Sequence, residues 1–117
     1  MEAAATNDHM ERAAKNQALC REVNERIEAL HDNFDVAFAL REFICECADT
    51  SCTASVRMTV AEYESVRSNP AHFAILPLEE HVFPEVEDVV ARDQRYWVVR
   101  KLGTASKVVA RLDPRAR

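Results

Sequence analysis

Glu42-Phe43-Ile44-Cys45-Glu46-Cys47-Ala48-Asp49-Thr50-Ser51-Cys52 is the stretch from which the fold is read. Its first half alternates. Phe43, Cys45 and Cys47 fall on one face of an extended chain, with Glu42, Ile44 and Glu46 on the other, which is strand periodicity. Ala48 through Ser51 is turn chemistry, and residues 56–58 supply a short return strand. Two cysteines at i and i+2 on a strand project from the same face, about 7 Å apart by strand rise. The turn brings Cys52 back toward the same point.

Three thiols within eight residues call for an explanation. Thiolates held that close repel one another, and a divalent cation removes the repulsion while keeping them deprotonated at neutral pH. Zinc–sulfur bonds are about 2.3 Å, and soft sulfur ligands favour Zn2+ over magnesium or calcium. A tetrahedral site needs a fourth ligand, for which His81, His72, Cys20, His31 and His9 are the candidates. His81 is favoured because it lies in a loop bounded by Pro77 and Pro84. Cys20, next to Val23 and Ile27 on a helix face, reads as a small core residue. The competing readings are a Cys47–Cys52 disulfide and three inert buried thiols. The predicted metal set is Cys45, Cys47, Cys52 and His81, with no catalytic residue assigned.

Outward from this turn, the chain reads as one α+β domain of 117 residues. Residues 1–7 are expected to be disordered. Asp8 with Glu11 fits a capping box opening an amphipathic helix over 8–34, whose regular part ends near Leu30. Cys20, Val23, Ile27, Leu30 and Phe34 would form its buried face. Arg21–Glu25 and Glu22–Arg26 are opposite charges four apart. The same spacing matches a short coiled-coil seam with Asn16 as its polar register residue, so a homodimer through this helix is one expectation. Residues 40–102 form the predicted zinc-binding α+β domain. In it, Thr59 with Glu62 is a second capping box, opening a helix that Pro70 stops, with Val60, Tyr63 and Val66 on its buried face. Phe73 starts a strand, and residues 86–91 and 96–102 flank a polar turn as a hairpin. Residues 103–117 are a basic C-terminal segment with a short helix.

Composition removes whole classes of function. The chain has a single glycine, so phosphate loops, dinucleotide fingerprints and nucleophile elbows are excluded. Apolar residues are 48% and charged residues 30% of the chain, and no apolar run has the length of a membrane span. The opening MEAAATNDHMERAAKN has no basic start or apolar core, so no export signal is expected, and a reducing cytoplasmic setting follows. Nine Lys/Arg against nineteen Asp/Glu precede Arg100, whereas six basic residues face Asp113 alone from there on. That tail reads as a solvated terminus, and the acidic body argues against a broad nucleic-acid footprint. Glu46 and Glu62 lack matched partners for acid–base work and read as solvated.

Segments spread along the chain resemble a family of small uncharacterised actinobacterial proteins. They are Asn16-Gln17-Ala18-Leu19 to Arg26-Ile27, Cys45-Glu46-Cys47-Ala48-Asp49 with Cys52-Thr53, and Thr59-Val60-Ala61-Glu62-Tyr63-Glu64 with Val66-Arg67 and Pro70. Pro77, His81, Pro84-Glu85-Val86-Glu87 and the strand from Tyr96 to Lys101 also match, so the resemblance spans residues 16–102. The chain lacks that family's glycine before the histidine and has a longer spacing from Pro77. The resemblance implies a ligand set of three cysteines and one histidine and brings no activity with it. The expected role is a zinc-bearing protein-interaction or regulatory module that is not an enzyme and has an unidentified protein partner. The alternatives are a thiol-based redox or zinc sensor and a nucleic-acid-binding zinc protein.

Overall fold

The computed structural model describes residues 2–32 and 39–116, with side chains over 12–29 and 39–115. Helix α1 (Glu2–Asp32) is followed by β1 (Arg41–Ile44), β2 (Ser55–Met58), α2 (Val60–Arg67) and β3 (His72–Ile75). A 3-10 turn (Glu79–His81), β4 (Glu87–Arg92), β5 (Trp97–Lys101), α3 (Gly103–Arg111) and a second 3-10 turn (Pro114–Ala116) complete the order. This is the α+β architecture expected, with a long N-terminal helix and small antiparallel sheets. β1 and β2 form a two-stranded sheet, and the other strands form a second sheet in the order β3-β5-β4. No described helix is long and apolar enough to cross a membrane.

The junction between the sheets lies at the cysteine stretch. Phe43 faces Val56 in the β1–β2 ladder, and the Cys45 amide extends that ladder to the Ala54 carbonyl at 2.9 Å. The next amide, from Glu46, donates instead to Ala74 of β3 at 2.8 Å. The chain thus changes partner strand between Cys45 and Glu46, which is why the regular strand ends at Ile44 rather than at Cys47. Phe43, Cys45 and Cys47 are all buried as their shared face requires, but the alternation ends there, because Glu46 is buried as well. Phe43 stacks on Tyr63 of α2 with ring centroids 4.6 Å apart.

α2 forms as its capping box requires. The Thr59 hydroxyl accepts from the Glu62 amide and the Glu62 carboxylate accepts from the Thr59 amide. The only glycine, Gly103, opens α3 at φ +55, in the left-handed region where a Cβ would be strained.

Four expectations are corrected. Helix α1 begins at Glu2, not at Asp8, so residues 2–7 are helical and Asp8 lies within the helix. Ala3, Ala4 and Ala5 carry the highest helix propensity and explain the extension. The buried face of α1 is also rotated. Ala14, Gln17, Ala18, Arg21 and Asn24 are buried, whereas Val23 is 38% and Leu19 60% exposed, and Cys20 is half-buried. Arg21 makes no surface pair with Glu25. It lies over the Phe73 ring at 3.6 Å, donates to the carbonyls of Pro70 and His72, and faces Asp113 at 3.5 Å. The pair Glu22–Arg26 forms as expected, at 3.6 Å. The basic tail is not a loose terminus. Lys101 is buried 2.8 Å from Glu87, and Arg115 binds Glu25, Glu28 and Glu64. Ala105, Val108 and Val109 of α3 complete the core. The side chains of His9, Leu30, His31 and Phe34 lie outside the described residues.

Candidate metal centre

Cys45, Cys47, Cys52 and His81 converge. Their ligand atoms all lie within 4.8 Å of one another, and theirs is the only such cluster among the described residues. His81 Nδ1 is 3.4 Å from Cys47 Sγ, 3.6 Å from Cys45 Sγ and 3.7 Å from Cys52 Sγ. A zinc ion with bonds of about 2.3 Å to sulfur and about 2.0–2.1 Å to nitrogen, in tetrahedral geometry, sets a nitrogen–sulfur edge of about 3.6 Å. The three measured edges scatter around that value. The nitrogen–sulfur edges therefore suit one tetrahedral ion.

Each ligand is placed by local chemistry. Cys45 and Cys47 share a face of one extended segment. Between Cys47 and Cys52, the Asp49 carboxylate accepts from the Ser51 amide at 2.8 Å and the Ser51 hydroxyl at 2.7 Å. The Cys52 amide then donates to the Asp49 carbonyl. This tight turn folds Cys52 back onto the strand end. His81 closes the 3-10 turn, its amide donating to the Leu78 carbonyl at 3.0 Å.

The thiols are surrounded by amide donors. Leu76 donates to Cys45 Sγ at 3.3 Å, and the Asp49 and Ala54 amides point at Cys47 and Cys52, each two residues past its cysteine. Such N–H groups steady ligands and lower the charge on sulfur. The hydrogen bond from Cys45 pulls the Cys47 thiol down to about 5, with His81, the Asp49 amide and Cys52 assisting against burial. Cys45 moves the opposite way because it shares its proton with Cys47 and is buried. Burial also raises Cys52.

The other sequence candidates stay apart. Cys20 is outside the cluster, and burial, then the charges of Glu46, Cys47 and Cys52, push its thiol up to about 11. His72 is on β3, where burial and the charges of Arg100 and Arg21 lower it. All four cysteines are free, so the Cys47–Cys52 disulfide is not formed.

Glu46 corrects the reading of its position as solvated. It is 0% exposed. Its carboxylate accepts from Asn24 Nδ2 at 2.9 Å, the Tyr63 hydroxyl at 3.1 Å and the Ala74 amide at 3.0 Å. Its carbonyl accepts from Gln17 Nε2 at 2.9 Å. Glu46 is thus bolted to α1, α2 and β3 while its neighbours Cys45 and Cys47 face His81. Gln17, Arg21 and Asn24 recur at helical spacing beside Ala14 and Ala18. That polar stripe flanked by small residues was the available signal. Glu62 is half-buried and pairs with Arg95 at 2.5 Å.

Comparison with known protein families, with curated proteins and with solved structures finds no match.

Proposed function

We propose that Cys45, Cys47, Cys52 and His81 bind one zinc ion as a structural cross-link, and that the protein serves as a non-enzymatic interaction or regulatory module. The three nitrogen–sulfur distances carry the reading. Four protein donors leave no position for water or substrate, as in structural rather than catalytic zinc sites. Thiolate donors select zinc over magnesium or calcium, and free thiols suit a reducing compartment such as the cytoplasm. The resemblance to the actinobacterial family implies the same ligand set.

The cross-link has a mechanical purpose. The 3-10 turn Glu79–His81 has no buried residue and no side-chain cap. Apolar packing does little to hold it, so the ion would tie this loop to the β1 end and to the Cys52 turn. Binding free energy in such a site is folding free energy, on the order of 10 kcal/mol at neutral pH.

Elemental analysis of the purified protein should give one zinc per chain. Cys47→Ser should abolish it and lower the melting temperature, and chelation of the wild type should do the same. Zinc-free protein with an unchanged melting temperature in chelator would refute the reading.

A further inference from the structure

A cavity of about 480 Å³ opens beside the metal centre, within the roughly 300–1,000 Å³ range of small-ligand sites. His81 forms part of its wall. Arg12 and Ala13 of α1 close one side, and the turn at Asp49 and Thr50 closes another. Glu80, Val82 and Phe83 supply the rest. We infer that this cavity receives the basic side chain of a partner protein, its aliphatic stem on Val82 and Phe83 and its cationic head between Asp49 and Glu80.

The charges point that way. Three thiolates, one dication and a neutral imidazole leave one net negative charge on the centre, so the inference rests on the zinc reading. Asp49 and Glu80 add two carboxylates, against which the wall offers Arg12. Glu80 makes no ion pair among the described residues, whereas its neighbour Glu79 faces Arg92 at 3.9 Å. Asp49 spends Oδ1 on Ser51, leaving Oδ2 for a donor. An anion, nucleic acid included, meets repulsion here. A neutral polar side chain can donate a hydrogen bond to the carboxylates but gains no charge pairing from them. A lysine or arginine satisfies both halves of the cavity, since its stem covers apolar surface while its head reaches charge.

The partner's side chain would also touch the two loops that the ion joins. Binding would therefore stiffen the turn at Thr50 and the segment at Val82 together, coupling the interaction to metal occupancy.

The test is an NMR titration of zinc-loaded protein with N-acetyl-Gly-Arg-Gly-amide and its lysine and glutamine counterparts, after zinc content has been measured. The arginine and lysine peptides should move the Thr50, Val82 and Phe83 amides saturably, and the glutamine peptide should not. Glu80→Lys reverses an exposed charge in the 3-10 turn on a side chain that is not a ligand. It should weaken the arginine peptide by about fivefold with zinc content unchanged. Equal response to the glutamine peptide, unchanged affinity in Glu80→Lys, or no saturable shift on zinc-loaded protein would overturn the inference alone. A starting protein without zinc would overturn the zinc reading and, with it, the inference that rests on that reading.

Discussion

Glu46→Ala tests the claim that the metal hairpin is held from behind by a buried carboxylate. Removing the side chain orphans two fully enclosed donors, the Tyr63 hydroxyl and the Ala74 amide. Asn24 Nδ2 keeps the Ile44 carbonyl at 2.9 Å, and Arg21 keeps Pro70, His72 and Asp113. At about 1–3 kcal/mol for each orphaned buried group, the loss is about 2–6 kcal/mol. An opposing effect lowers this. Burial drives the Glu46 carboxyl upward despite Arg21, Asn24, Ala74 and Tyr63, so deleting it also relieves an unfavourable buried charge. The net expectation is about 3 kcal/mol, a large part of the roughly 5–15 kcal/mol that holds an ordinary domain together. Urea denaturation of zinc-loaded protein, with comparable slopes, measures it. Tyr63→Phe sharpens the test. In the wild type it removes a hydrogen bond and should destabilise by about 1 kcal/mol. In the Glu46→Ala background it removes an orphaned hydroxyl and should stabilise by a similar amount. The same sign in both backgrounds, or a Glu46→Ala loss below about 1 kcal/mol, would refute the reasoning.

Two further outcomes follow from the buried charges. Lys101→Met leaves Glu87 buried without its cation and should cost about 3–5 kcal/mol, part of which Glu87→Gln added to it should recover. A Lys101→Met protein with wild-type urea stability would contradict this. Burial, reinforced by Glu64, raises the Glu28 carboxyl from 4.5 to about 7 in the fold. Its protonated form therefore favours the folded state. That contribution is complete below pH 4.5 and is lost as pH rises through about 7. Glu28→Gln should flatten the decline across that window in a series of urea midpoints, and a profile parallel to the wild type would count against it.

The local elements were legible because their causes are local. Thr59 and Glu62 cap α2 within three residues of each other, and the polar residues 92–95 turn one strand of the hairpin into the next. The shared face of Cys45 and Cys47 follows from the two-residue period of any extended chain. Cys52 follows from the turn chemistry of Asp49 and Ser51. Even the choice of His81 rested on a local feature, the prolines that bound its loop. The two-residue period failed at Glu46 because the chain changes partner strand there and leaves no solvent face.

The N-terminal helix marks the limit. Apolar spacing selected Cys20, Val23 and Ile27; Ile27 does pack against the core, but the fold buries Gln17, Arg21 and Asn24 in place of Val23. A polar side chain enters a core only where distant acceptors receive it. Those acceptors are the Glu46 carboxylate and carbonyl, the carbonyls of Pro70 and His72, and Asp113, all at least twenty residues away. Likewise Lys101 reads as part of a basic tail until β4 brings Glu87 beside it. The sequence alone determined the chemistry of the candidate ligands, the caps and the turns, since each depends on neighbours along the chain. Tertiary structure decided which polar groups lose water, because that depends on neighbours in space.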